Sequence, residues 1–153
     1  MAELETPAPF KVAKINPQMV SRGKKGQSLF RTDILGATVQ VVTEGGETNM
    51  HAHSGLDSCW FVLSGIARFY GYGDKLIAEA GKNEGVFIPK GTPYWFEAAG
   101  EERLEILHIT AADKSAANDR VDYAPPRERQ AGMEGRGRKP SEEELQAAAT
   151  AVN

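Results

Sequence analysis

Short apolar runs separated by turn-forming residues dominate the chain from residue 10 to residue 110. The runs are about five to eight residues long, as in β-strands, and Gly, Pro, Asn and Asp fill the gaps between them. The periodicity of an amphipathic helix is missing from this region. The pattern predicts an all-β domain, closed or sandwich-like, so that its strand edges are shielded.

The same pattern sets the expected strands and domain limits. Strands are predicted at residues 10–15, 28–35, 37–43, 48–53, 58–63, 66–72, 75–80, 85–88, 93–97 and 103–110. We therefore expect a barrel at residues 28–112, preceded by an extension, residues 1–27, that contributes an edge strand.

The composition changes after residue 110 and becomes rich in Ala, Asp, Arg and Gly. We interpret residues 113–153 as an irregular tail. Near its end Ser141 and Glu144 form a capping box ahead of the apolar Leu145, and neighbouring acidic residues suit the positive end of a helix. A short helix is predicted at about residues 141–152.

Length and composition narrow the class of protein. The 153 residues suit one domain, and a net charge of -3 gives no broad basic face for nucleic acid. No apolar stretch has the length of a membrane span, and the N-terminus lacks the features of a signal peptide. The single cysteine, Cys59, excludes an intrachain disulfide. We expect a cytoplasmic protein whose partner is a small molecule or a second copy of itself.

A His-x-His pair is the first candidate for chemistry. Side chains alternate along a strand, so His51 and His53 project from the same side. Two neutral imidazoles at this spacing suit a divalent transition metal. On spacing alone, a pair of solvated strand histidines explains the pattern equally well.

Two segments around this pair resemble the diagnostic motifs of the cupin superfamily, over about residues 39–110. The first family motif is Gly, five residues, His-x-His, four residues, Glu, six residues, Gly, and its positions are held here by Gly45, His51, His53, Ser58 and Gly65. The second is Gly, five residues, Pro-x-Gly, two residues, His, three residues, Asn, and its positions are held here by Asn83, Pro89, Gly91, Tyr94 and Ala98. The resemblance implies a cupin-type double-stranded β-helix, or jelly-roll barrel, followed by the short C-terminal helix.

Two of the four metal-ligand positions of the family are changed. Ser58 stands in place of Glu, and Tyr94 stands in place of His. Asp57, one residue before the glutamate position, reaches the interior only if its strand begins with a bulge, because regular alternation turns it away.

His108 offers a replacement ligand. It shares a strand face with Leu104 and Ile106, so it points into the barrel if this aliphatic pair does. The resemblance implies that this strand runs beside the strand carrying the glutamate position. We hypothesise that His51, His53 and His108 form a three-histidine metal site.

The remaining candidates surround this site. Tyr94 is interpreted as a catalytic hydrogen-bond donor or acid, since a phenol is protonated at neutral pH, with a wall residue as the alternative. Trp60, Phe61 and Phe96 are expected to give the pocket an aromatic lining, although such residues are as often plain core. Asp57, Ser58 and Ile106 complete the set of substrate or supporting contacts.

The resemblance defines the fold more narrowly than the reaction. The proposed three-histidine site leaves the charge of the metal uncompensated, so we expect a metal-dependent enzyme acting on a small oxygenated molecule, aromatic or enolisable, with a dioxygenase-type reaction as the first choice. Iron is the preferred metal, and Mn, Ni and Zn are alternatives. A redox-neutral lyase or isomerase and a non-catalytic binding protein are the other readings. A homodimer is also implied by the resemblance.

Overall fold

The computed structural model describes residues 9–125, 127 and 137–151, which form an all-β jelly roll and one helix. The elements are β1 Lys24–Arg31, β2 Leu35–Val42, β3 His51–His53, β4 Leu56–Ser64, β5 Ile66–Gly71, β6 Lys75–Ala80, β7 Gly85–Ile88, β8 Trp95–Ala99, β9 Leu104–Ala112, β10 Arg120–Asp122 and α1 Glu142–Ala151. The predicted fold class is confirmed.

Two antiparallel layers enclose the barrel interior. One is a five-stranded sheet with the order β1-β2-β9-β4-β7, and the other contains β6-β5-β8. The short pair β10-β3 extends the second layer, because an antiparallel bridge between His51 and Tyr94 connects β3 to the start of β8. This bridge places the His-x-His pair inside the wall of the barrel.

The core follows the two-residue alternation of the strands. On β4 and β9, Trp60, Val62, Leu104 and Ile106 face inward and are buried. They pack in one cluster with residues of the opposite layer such as Phe96. The inward face predicted for Leu104 and Ile106 is therefore confirmed, and it carries His108 inward with it.

Two positions of the cupin motifs have backbone conformations that restrict the side chain. Gly65 has φ +81, and a Cβ there would lie 2.6 Å from the carbonyl oxygen of Arg103. Asn83, at a motif position that is normally glycine, has φ 68, which asparagine tolerates better than most residues. Both positions shape turns that end core strands.

The strand predicted at residues 10–15 is wrong. This segment has no regular structure, and the side chains of Phe10 and Val12 are exposed. The side chain of Gln27 makes hydrogen bonds of the kind that a neighbouring strand would make. Its Oε1 accepts from the backbone N–H of Asn16, and its Nε2 donates to the carbonyl of Lys14. The edge strand is β1, which begins at Lys24 and runs across the predicted limit at residues 27 and 28.

The tail contains an element that the sequence pattern missed. Strand β10 pairs with β3 in the register Arg120–His53, Val121–Ala52 and Asp122–His51. It has three residues, too few for a visible alternation. The chain beyond the cupin-like segment therefore returns to the strand that carries the two histidines.

Helix α1 begins with the predicted capping box. Ser141 Oγ accepts from the N–H of Glu144 at 3.2 Å, and Glu144 Oε2 accepts from the N–H of Ser141 at 2.8 Å. The end of the prediction, Val152, lies outside the described residues. Within the ranges given above, no helix has both the length and the apolar character needed to span a membrane.

Candidate functional site

His51 and His53 lie side by side on β3, as the sequence pattern predicts. Their ring centroids are 5.2 Å apart in an edge-to-face arrangement, and His51 is almost fully buried. His51 Nδ1 donates to the carbonyl oxygen of Asn49 at 2.7 Å. Because the neutral ring carries its proton on this nitrogen, Nε2 keeps its lone pair. A backbone carbonyl on the second nitrogen is the usual support of a metal-binding histidine.

His108 approaches the same interior from the opposite layer. Strand β9 lies between β2 and β4, and His108 is in register with Trp60. The two rings are stacked with centroids 3.7 Å apart and planes 4° apart. His108 Nε2 lies 3.1 Å from Ser58 Oγ. A histidine nitrogen thus contacts the residue at the family's glutamate position, and its role as a replacement ligand stays a prediction.

All three imidazoles are held in the neutral form. Burial lowers the pKa of His51 well below its usual value, lowers the pKa of His53, and lowers the pKa of His108 to about 3. The positive charge of Arg120 lowers the first two further. Neutral imidazole is the protonation state that binds a metal, but the burial and the Arg120 charge that lower these pKa values also oppose the charge of a bound cation.

A cavity of about 340 Å³ opens beside these residues at the mouth of the barrel. His53 and His108 both line it, and Thr110, Asn118 and Arg31 add hydroxyl, amide and guanidinium groups. Asp33 also lines this cavity, so a small oxygenated molecule would find hydrogen-bond donors and charges of both signs here.

The donors fit a divalent transition metal in kind and in protonation. As the side chains stand, no three His, Cys, Asp or Glu residues within the described part of the chain converge to a metal-ligand arrangement. His51 and His53 are the adjacent pair, and His108 is held by Ser58. A metal bound by the first two would require the ring of His108 to turn from Ser58 to complete the set.

Tyr94 lies against His51, as expected for a residue at the fourth ligand position. The two residues exchange backbone hydrogen bonds of 3.1 and 2.9 Å, and their ring centroids are 4.8 Å apart. Burial raises the pKa of Tyr94 to about 12, so its hydroxyl stays protonated. The phenol is therefore suited to donate a hydrogen bond rather than to act as an anionic ligand.

Three predicted contacts lie elsewhere. Strand β4 has no bulge at its start, so Asp57 is turned away from the interior and accepts a hydrogen bond from the backbone N–H of Lys90 at 2.9 Å. Phe61 is on the outer face of the same strand and 43% exposed, so it does not line the pocket. Ile106 is fully buried in the core cluster, two residues along the strand from His108.

Of the three predicted aromatic residues, Trp60 and Phe96 lie in the interior and Phe61 does not. Phe96 is fully buried and packs on Trp60 with ring centroids 4.7 Å apart. Trp60, rather than Phe61, forms the wall beside His108, because alternation along β4 puts Ser58 and Trp60 on the inner face. Cys59 lies between them in the sequence, so its side chain is on the outer face of β4, where it is half-buried.

A polar network behind His51 was not anticipated. Arg120 Nη2 donates to Asn49 Oδ1 at 2.6 Å, and Asn49 Nδ2 donates to Asp122 Oδ1 at 2.9 Å. Asn49 in turn offers the carbonyl that holds the ring of His51. The amino-acid sequence indicates this network only weakly, because Arg120 and Asp122 lie in a segment that is interpreted as an irregular tail.

Two buried polar atoms lie without a hydrogen-bond partner among the described residues. They are the indole Nε1 of Trp60 and the amide Oε1 of Gln40. Such groups cost about 1–3 kcal/mol each when left unpaired. Neither residue lines the cavity at the histidines, and Trp60 packs in the core beside the ring of Tyr94, so these two atoms do not indicate a ligand.

Comparison with known proteins agrees with this architecture. Residues 38–110 match the family model described as a cupin domain. No significant match is found among curated proteins. This chain therefore contains a domain of the cupin superfamily, as the two motifs predict.

Solved structures with the same fold are distant in sequence. A Klebsiella pneumoniae protein with a double-stranded β-helix domain superposes with a TM-score of 0.65 at 13% identity, covering 76% of this chain and 96% of that chain. The cupin domain of Schizosaccharomyces pombe Cnp3 gives 0.57 at 18%, covering 71% and 76%. The polyketide cyclase RemF of Streptomyces resistomycificus gives 0.56 at 20%, covering 68% and 80%. At these identities the likeness establishes the fold alone.

Proposed function

We propose that this cupin is a metal-dependent enzyme acting on a small oxygenated organic molecule, with His51, His53 and His108 as metal ligands. The observation that supports this proposal most directly is that these three imidazoles occupy one barrel interior in the neutral form. The carbonyl of Asn49, which fixes Nδ1 of His51 and leaves Nε2 available, supports the same assignment.

The residues around the histidines account for substrate binding. When bound, a divalent transition metal supplies a Lewis acid whose charge the neutral imidazoles leave uncompensated, which favours enolate or carboxylate oxygens. Arg31 and Asn118 line the adjoining cavity and suit the polar end of such a molecule. Tyr94 holds a proton beside His51 that it can donate as a hydrogen bond.

Oxidation of the substrate by O2 is our first choice of reaction, with iron as the metal. A redox-neutral lyase or isomerase is the second choice, with Tyr94 as a hydrogen-bond donor, because burial raises the pKa of its hydroxyl and keeps it protonated. The homodimer and the cytoplasmic location stay predictions.

Metal analysis tests the ligand set. We expect protein purified without added metal to contain close to one transition-metal ion per chain, and His51→Ala, His53→Ala and His108→Ala each to lose most of it. Asn118→Ala is the matched control, because Asn118 lines the same cavity but is not in the proposed set. Full retention of metal in His108→Ala would remove that residue from the site.

O2 uptake then separates the reaction classes. Iron in the protein together with O2 consumption on addition of aromatic or enolisable substrates supports the oxygenase. Zinc or nickel without uptake, but with conversion of the substrate, supports the lyase or isomerase. Wild-type protein that takes up no metal when Fe, Mn, Ni or Zn is offered would contradict the proposal and indicate a metal-free binding protein.

A further inference from the structure

A second cavity lies where the two layers of the barrel part. Strands β7 and β6 are the edges of different sheets and are not hydrogen-bonded to each other, so the wall is open between them. The opening leads to a cavity of about 240 Å³ that α1 covers. Its lining includes Phe69, Ile77, Val86, Pro89, Tyr94 and Ala148.

This cavity is distinct from the one at the histidines. No residue lines both, and His53 and His108 belong to the first. Tyr94 lines the second cavity, and its ring centroid is 4.8 Å from that of His51. The ring of Tyr94 therefore forms part of the boundary between the histidine pair and the apolar space under the helix.

The residues that line this second cavity suit a ligand that is uncharged and flat. Among the described residues that form it, none carries a charge, and most of the wall consists of aromatic, proline and aliphatic side chains. Ile77 and Phe87 at the rim are 57% and 60% exposed, an unusual position for two large apolar side chains that both border one cavity. The volume accommodates one or two fused rings rather than a long chain.

The first turn of helix α1 is anchored by ion pairs. Arg138 donates to both carboxylate oxygens of Glu144, at 2.8 and 2.7 Å, and to Asp119 at 3.3 Å. Beyond this anchor, Ala148 is the one buried residue within the described helix. The described helix lines the cavity with Ala148 and Ala151, whose side chains are single methyl groups, so it can move aside without removing a large side chain from the core.

We propose that this cavity is a binding site for a small uncharged aromatic molecule, admitted and covered by α1. The proposal goes beyond the metal-dependent function and requires no metal. It rests on the open wall between β6 and β7, the uncharged lining and the cover of alanine side chains from α1.

A neutral fluorescent aromatic, 1-aminonaphthalene, tests the site with the full chain. We expect saturable binding with a blue-shifted, stronger emission. Ala148→Leu adds three carbon atoms inside the cavity and should weaken binding about tenfold, which corresponds to the usual cost of overpacking. The matched control is Ala147→Leu, the same change on the exposed face of the same helix, which should bind as wild type does.

A second variant and NMR chemical-shift mapping distinguish a loss of binding from misfolding of the helix. Thr92 is an exposed residue of the lining, so Thr92→Phe should narrow the entrance and weaken binding without disturbing α1. Amide chemical shifts should change at Phe69, Val86, Tyr94 and Ala148. Binding that neither variant weakens, shifts confined to the histidine cavity, or no saturable binding at all would overturn the proposal.

Discussion

Two halves of the barrel interior carry side chains of opposite character, and strands β4 and β9 contribute to both. The apolar half contains Val62, Phe69, Phe96, Leu104 and Ile106. The histidine half contains His51, His53, Ser58, His108 and Thr110. Val62 on β4 is paired with Ile106 on β9. Two residues further along the same strands, Trp60 is paired with His108. The stacked pair Trp60–His108 is the border between the halves.

The apolar half mainly stabilises the fold, and the histidine half contains the candidate site. The apolar half gains free energy by removing aliphatic and aromatic surface from water. The histidine half gains less, because each buried imidazole loses hydration and needs a partner. The paired strands β4 and β9 supply both halves, so the first positions the second. We therefore expect substitutions in one half to change stability and those in the other to change binding.

The largest effect is expected for Phe96→Ala. Phe96 is fully buried and touches Trp60 and Phe69, so truncation leaves a cavity that the two layers cannot collapse onto. We expect a loss of about 3–5 kcal/mol in the free energy of unfolding. Urea denaturation measures it. The matched control is Phe87→Ala at a 60% exposed position, which should cost less than about 1 kcal/mol; equal losses would contradict the comparison.

A pH dependence of intermediate size is expected from the histidine half in chelator-treated protein. The unfolded chain binds a proton at each imidazole near pH 6.5, whereas folded His108 does so only near pH 3. Between these values the unfolded state holds more protons, so the free energy of unfolding falls as the pH is lowered. From pH 6.5 to pH 5 one such histidine contributes at most about 2 kcal/mol.

The variant His108→Gln isolates this contribution. Its free energy of unfolding should fall less steeply between pH 6.5 and pH 5 than that of wild type, because one protonation site has been removed. His51 and His53 remain and keep part of the dependence, since burial lowers the pKa of both. Parallel pH curves for the two proteins would show that His108 is not kept neutral by folding.

The sequence predicted what depends on local alternation. The inward face of His108 followed from Leu104 and Ile106, and the capping box of Ser141 and Glu144 followed from two residues three apart. Both features are decided within one strand or one helical turn, where the period of the backbone sets the direction of each side chain.

The failures concern contacts that local pattern does not contain. The apolar residues of segment 10–15 suggested a strand, but the side chain of Gln27 took its hydrogen bonds. Phe61 looked like a pocket residue, although the register of β4 with β9 turns it outward. Strand β10 pairs with β3 across about 70 residues of chain, and its charged residues Arg120 and Asp122 gave no sign of that partner.

The smallest effect is expected for Ser58→Ala, at the border of the histidine half. The change removes the hydroxyl that lies 3.1 Å from His108 Nε2 and leaves that nitrogen with one partner fewer. The free energy of unfolding should fall by about 1 kcal/mol, less than for Val62→Ala on the same face of β4, because a neutral hydrogen bond contributes less than a buried aliphatic group. Ser28→Ala, at an exposed position of β1, is the control and should have little effect. If Ser58→Ala instead costs as much as Val62→Ala, the serine supports the core, and the division of the interior into two halves fails at this residue.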